Sequence, residues 1–315
     1  MKTLSNQTSQ SGKRTPIDIK GWLKDLAKRA FANTFFAVLM TFQLVLPAGV
    51  IRWWIKPGGY IYYYIAPKTR RAMFANARHL LGPEASEDRH RRLVLAMMTN
   101  WCEFMVDLFW FQRVSREKVL QRTPTILGLD EYLEARKRGG GAIIVSCHMG
   151  NWEYGSVLLQ MVNETLNVVF QRDPNVVLRR VFTLQRATKN IREVPIEGDP
   201  FAWVALREAL KRNELVLLQG DRTIGEQGSI QPFVDGHARF PEGPVKLAMA
   251  SGAPLVPVFV PRAGSDFEVH MYKAMFPDDP GVTEETLMRY MVQSIEKCVT
   301  TYPEQWLMPK RFWVD

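Results

Sequence analysis

The chain has 315 residues, 46% of them hydrophobic, enough core material for one large globular domain or two ordinary ones. Its net charge of +9 is uneven: residues 1–120 hold 19 Lys+Arg and 8 Asp+Glu, against 22 and 24 in residues 121–315. The three cysteines, Cys102, Cys147 and Cys298, form no C-x-x-C pair, which argues against a disulfide scaffold and fits a reducing compartment.

Residues 1–16 are polar and read as a disordered tail. Residues 17–65 read as a membrane-anchoring region. Ala30–Ile51 has no charged residue over 22 positions, with Lys20, Lys24, Lys28 and Arg29 before it and Arg52 and Lys56 after it. Trp53, Trp54, Tyr60, Tyr62, Tyr63 and Tyr64 follow, amphipathic rings that favour the membrane–water interface. This places the basic surface against anionic lipid rather than nucleic acid, for which no signature is present. Asn33, Gln43 and Pro47 interrupt the apolar run. A span with a cytosolic C-terminal domain would also put the basic residues 13–29 outside, against the positive-inside tendency. A span and a helix lying in the interface are the two leading readings, with a buried core helix as the plain alternative. A cleavable signal peptide is excluded, because no small-residue cleavage site follows the run.

Residues 66–125 read as a helical segment packing on the core. The apolar spacing predicts helices over 67–81 and 87–112, the second with a face of Leu93, Met97, Phe104, Leu108 and Phe111. From residue 126 strands and helices alternate. Strands are expected at 142–146, 166–170, 215–219, 254–260 and 267–272. Helices are expected at 130–138, 152–162, 175–189, 201–213, 243–251 and 283–300. The fold class is therefore α/β, a mostly parallel sheet flanked by helices over 126–315, preceded by the membrane-associated helical region. No phosphate-binding glycine loop, dinucleotide fingerprint or G-x-S-x-G elbow occurs. His79, His90, His237 and His270 lack metal-ligand spacing, and neither a metal nor a cofactor is expected.

Four polar blocks fall at predicted strand ends, where α/β sites form. The first is His148-Met149-Gly150-Asn151-Trp152-Glu153, after an apolar strand and before a helix that Asn151 would cap. Phe170-Gln171-Arg172-Asp173 is the second and Gln219-Gly220-Asp221-Arg222 the third. The fourth, Arg239-Phe240-Pro241-Glu242-Gly243-Pro244, is a turn opening a helix. Each alone has a plain alternative: a helix cap, a solvated loop, a weak surface ion pair. Their ordered co-occurrence is what suggests a site. A histidine at a strand end with a carboxylate one helical turn on can form a general base and its orienting partner. Cys147, adjacent to His148, points to the other side of a strand and reads as a buried structural thiol.

The HMGNWE block, the later Arg172 and GDR blocks, PEGP, and the ending Tyr302-Pro303-Glu304-Gln305-Trp306-Leu307 resemble the lipid A late acyltransferases. These belong to the glycerophosphate and lysophospholipid acyltransferase superfamily. The resemblance runs from about Arg70 to Trp306. It implies acyl transfer from acyl carrier protein to a glycolipid hydroxyl, at the cytoplasmic face of a bacterial inner membrane. It makes His148 the base and Glu153 its partner, with Arg172 and Asp221 in the family's later polar blocks. The FPEGP block is closer to that of phosphatidylinositol mannoside and glycerolipid acyltransferases, which opens the acceptor to other lipids and adds Glu242 to the site.

In chemical terms, neutral His148 would take the proton of a hydroxyl attacking an acyl thioester, with no acyl-enzyme. Backbone N–H groups near Gly150 and Asn151, or Arg172, would meet the oxyanion. Arg172 or Arg239 would grip an acceptor phosphate, and Asp221, Arg222, Glu242 and Gly243 complete the substrate-binding set. A lipid hydrolase using water at the same site, or a non-catalytic membrane-binding module, are the rival readings.

Overall fold

The computed structural model describes residues 48–110, 125–159, 165–171, 191–196, 201–223, 225–264 and 266–314, and residues 34, 41, 45, 46, 121, 176, 179, 180 and 183 singly. The described chain opens with helices α1 (Ala48–Trp53), α2 (Ile55–Ile65), α3 (Pro67–Leu81) and α4 (Glu87–Trp110). Pro67 at the first position of α3 suits a helix start, where its missing N–H costs nothing. α3 and α4 bury Met73, Ala77, Leu93, Val94, Met97 and Met98 between them. α2 lies close on α4, because a Cβ on Gly59 would come within 2.9 Å of the Thr99 backbone. Its other face carries Trp53 just before it, 86% exposed, then Tyr60, Ile61, Tyr64 and Ile65, all exposed. Among the described residues no helix is long and apolar enough to cross a membrane. Most of the 30–51 run lies outside them.

The remainder alternates as β1 (Thr125–Leu127), α5 (Leu129–Lys137), β2 (Ala142–Ser146), α6 (Trp152–Leu159), β3 (Leu166–Phe170), β4 (Ile191–Pro195), α7 (Ala202–Lys211) and β5 (Leu215–Gln219). Then come β6 (Ser229–Phe233), β7 (Gly236–Phe240), α8 (Gly243–Ser251), β8 (Leu255–Phe259), β9 (Arg262–Ala263), β10 (Asp266–Met271) and α9 (Glu284–Thr301). The main sheet runs β1-β10-β8-β2-β5-β3-β4, with β9 on β10. Strands β8, β2, β5, β3 and β4 are mutually parallel, and the antiparallel β10–β8 pair makes the sheet mixed. The five expected strands are present. Strands β1, β4, β6, β7 and β9 are additional. The expected helix 175–189 falls mostly outside the described residues.

β2 explains the sheet's layering. All five of its residues are buried, as a central parallel strand covered on both faces requires. Ile143 and Val145 face α7, α8 and α9, whereas Ala142 and Ile144 face α5 and α6. Each such Ile or Val contributes about 1.5–3 kcal/mol by leaving water. α9 starts at a capping box, Thr283 Oγ1 accepting from Thr286 N at 3.2 Å and Thr283 N donating to Thr286 Oγ1 at 2.7 Å. Its buried stripe, from Leu287 through Met291 and Ile295 to Val299, then lies along the sheet.

The last residues close the structure. Asn76 of α3 is fully enclosed, and its amide nitrogen donates to Met308 O at 3.2 Å and Lys310 O at 2.8 Å. Its oxygen accepts from Phe312 N at 3.0 Å. Asn76→Ala strands these three backbone groups, so a loss of about 2–4 kcal/mol is expected in urea unfolding. Asn76→Asp, which turns an acceptor oxygen towards the Met308 and Lys310 carbonyls and buries a charge, should lose at least as much.

Candidate active site

The strand–turn–helix of β2 and α6 brings His148 to the carboxyl edge of the sheet. The turn is fixed from three sides. Gly150 has φ +56°, and a Cβ there would lie 2.1 Å from the Val260 carbonyl oxygen, so only glycine fits. Gly150 N donates to Gln305 O at 3.1 Å, Asn151 N to Val260 O at 3.0 Å, and Leu307 N to His148 O at 2.7 Å. Asn151 caps α6, its Oδ1 accepting from Tyr154 N at 3.0 Å. The Gly150 and Asn151 N–H groups are thus engaged by the fold, and both residues act on the turn's shape.

β5, hydrogen-bonded beside β2 in parallel, ends level with it and delivers Asp221. His148 Nδ1 meets Asp221 Oδ1 at 2.7 Å, and His148 N donates to Asp221 Oδ2 at 2.9 Å. Trp306 Nε1 donates to the same Oδ2 at 3.1 Å. Asp221 is 0% exposed. Burial pushes its carboxyl up, but His148, Arg222 and the hydrogen bonds outweigh this and bring it down to about 2. An ionised carboxylate only accepts, so Nδ1 carries the imidazole proton and Nε2 keeps its lone pair. Burial pushes His148 below its ordinary value, Arg222 adds to this, and Asp221 opposes it. The imidazole is therefore neutral at neutral pH, the state a general base needs.

The carboxylate at Nδ1 is thus that of Asp221. Glu153 stands buried in the first turn of α6 and lines the adjoining cavity. Burial pushes the Cys147 thiol well above its usual value, which rules it out as a thiolate nucleophile.

His148 opens, with 16% of its side chain exposed, onto a cavity of about 880 Å³. This lies within the size range of ligand cavities, about 300–1,000 Å³. Trp101, Phe104 and Met105 of α4 form one wall, with Val168 and Leu217 from the sheet and Trp203 from α7 elsewhere. Trp152 joins imidazole and wall: it meets the His148 ring edge-on at 5.0 Å and stacks on Phe104 at 4.2 Å. Cations Arg179, Arg207, Arg222 and Lys246 also reach the cavity. Among the described residues no group of His, Cys, Asp and Glu could hold a metal ion.

The other expected residues separate. Arg222 lines the cavity and donates Nη2 to Leu307 O. Glu242 and Gly243 line it too, Glu242 paired with Lys246 at 2.6 Å. Arg239 instead donates Nη1 to Gly228 O at 3.2 Å, bracing the loop before β6. Arg172 lies outside the described residues. Sequence reading placed Asp221 among substrate contacts and gave Trp306 no part. Their partners are 73 and 85 residues away, and no spacing rule reaches that far.

A profile of the bacterial lipid A biosynthesis acyltransferases matches residues 23–314. The chain belongs to that family. It is an acyltransferase of lipid-acyltransferase descent. It is 24% identical over 226 residues to a phosphatidylinositol mannoside acyltransferase of Mycobacterium tuberculosis, covering 70% of each chain. It is 26% identical over 253 residues to the lipid A biosynthesis lauroyltransferase of Escherichia coli, covering 77% of this chain and 79% of that one. A solved 1-acyl-sn-glycerophosphate acyltransferase from Thermotoga maritima aligns over 82% of this chain and 99% of its own, at 13% identity and a TM-score of 0.38.

Proposed function

We propose that the protein moves a fatty acyl chain from an acyl thioester, carried by acyl carrier protein, to a hydroxyl of an anionic glycolipid such as a lipid A precursor. The observation that carries this reading is a neutral His148, held at Nδ1 by ionised Asp221 and open to a largely apolar cavity. His148 Nε2 takes the acceptor hydroxyl proton as the oxygen attacks the thioester carbonyl. The C–S bond then breaks, and the departing thiolate takes the proton from the imidazolium. Arg222 supplies positive charge beside the base for the tetrahedral oxyanion. Glu153 and Glu242 bind substrate polar groups from the cavity wall. The lipid acceptor and thioester arm enter together, so no acyl-enzyme is needed.

The reaction takes place at the cytoplasmic face of a bacterial inner membrane. The exposed aromatics of α2, with Arg52 and Lys56 alongside, suit a helix lying in the interface. A phosphatidylinositol mannoside-like or lysophospholipid acceptor is the second reading, favoured by the FPEGP turn and by the curated mycobacterial relatives.

Purified protein given acyl carrier protein thioester and a panel of lipid acceptors, analysed by mass spectrometry, tests the reading. One acceptor should gain one acyl chain. Free fatty acid alone would make the protein a hydrolase, and no turnover of any donor would make it a binding module. Where transfer occurs, kcat/KM should be flat near neutral pH. It should fall along a single-proton limb whose midpoint lies below 6.5, since burial and Arg222 both disfavour the imidazolium. Arg222→Gln removes that positive charge and should move the midpoint up.

A further inference from the structure

The segment Pro303–Leu307 wraps the His148–Asp221 pair and makes four hydrogen bonds there, two to the pair itself and two to the neighbouring Gly150 and Arg222. Gln305 O accepts from Gly150 N, Leu307 N donates to His148 O, Leu307 O accepts from Arg222, and Trp306 Nε1 donates to Asp221 Oδ2. Only the last comes from a side chain to the carboxylate that sets the histidine tautomer. Trp306 is 0% exposed and is absent from the cavity wall, so it cannot touch substrate. Its ring is caged by Phe312 at 4.9 Å, Trp313 at 6.0 Å and Phe233 at 6.2 Å, which leaves the indole one orientation.

We infer that Trp306 is a positioning residue: its indole N–H fixes the Asp221 carboxylate so that Oδ1 stays on His148 Nδ1. Three N–H groups share the carboxylate. The backbone N–H of His148 and the indole both take Oδ2, leaving Oδ1 to the imidazole alone. Without the indole, Oδ2 keeps a single donor and the carboxylate can swing about its own axis. The indole also draws negative charge towards Oδ2. Its loss makes the carboxylate a stronger acceptor for Nδ1–H and favours the imidazolium.

This rests on His148 being the acyl-transfer base, and the test separates the two. Trp306 is replaced by 3-benzothienylalanine, which keeps the ring and exchanges only the N–H for sulfur. Transfer kinetics are measured against pH, and the His148 imidazole is titrated by ¹⁵N NMR. Expected are a roughly tenfold fall in kcat with KM unchanged, and a rise of about half a unit in the His148 midpoint by both methods. Trp306→Phe should behave alike, with melting curves reporting any loss of packing. An unchanged midpoint, or a fall in activity that only tracks melting temperature, makes Trp306 a packing residue and overturns the inference. The NMR arm needs no substrate. If the wild-type protein transfers no acyl chain, the proposed function fails, while the shift or its absence still decides the role of Trp306.

Discussion

Replacing His148 by alanine is expected to lower acyl transfer by at least about a thousandfold while leaving the fold intact. A lipid hydroxyl at neutral pH carries its proton almost completely, and the cavity offers no second neutral base in the described residues placed as His148 is. The neighbouring thiol is no substitute, since burial pushes Cys147 well above its usual value. The fold should persist because Asp221 keeps two donors, the residue-148 backbone N–H at 2.9 Å and Trp306 at 3.1 Å. The stability loss should stay within about 1–3 kcal/mol, the cost of one lost partner to a buried charge. Mass spectrometry of the acylated lipid beside circular dichroism melting checks both halves. Wild-type transfer by His148→Ala would end the general-base reading.

Asp221→Asn should cost almost as much, roughly a thousandfold to ten-thousandfold in kcat, through the tautomer. An asparagine amide can donate to Nδ1. The imidazole proton would then sit on Nε2, the atom that must accept. The same change removes a negative charge that raises the His148 pKa, so the acid limb of any residual activity should move down. Glu153→Gln provides the contrast. It too removes a negative charge near the imidazole, but Glu153 acts on His148 more weakly than Asp221 does, so the limb should move less. Kinetics of the two variants across pH distinguish them. A larger downward displacement in Glu153→Gln would return the orienting role to the helix carboxylate.

The strand that carries His148 was legible because five apolar residues end at a polar block, a pattern fixed by local chemistry. α9, expected over 283–300, was legible because its apolar residues recur at helical spacing, the stripe that the fold buries. The β6–β7 hairpin was not. Its Asp235-Gly236 signal sits one position out of step: the residues between the strands are Val234 and Asp235, and Val234 takes φ +56°, a conformation that β-branched residues avoid. Tertiary contact sustains it: Val234 N donates to Glu296 Oε1 of α9 at 3.1 Å. β4 was hidden because only Ile191 of its five residues is fully buried, so it lacks a clean alternation. At the site, periodicity located His148, Asp221 and the turn before α8 correctly on strand and helix ends. Which carboxylate faces Nδ1 depends on β5 lying beside β2, and strand order is set by packing among distant segments.

Position 150 has a consequence for how such a protein can diversify. Any side chain there collides with the Val260 carbonyl, so the turn that presents the base admits no gradual change. The cavity's aromatic walls follow a different rule. Trp101 and Met105 stand on α4, Trp203 on α7 and Leu247 on α8, and the hydrogen bonds to the His148–Asp221 pair come from none of these helices. Substitutions on them can reshape what the cavity admits while the His148–Asp221 pair stays constant. With His148 as the proposed base, selectivity and reactivity are separately heritable, and a library confined to those helix faces would explore new lipids without first having to rebuild the pair.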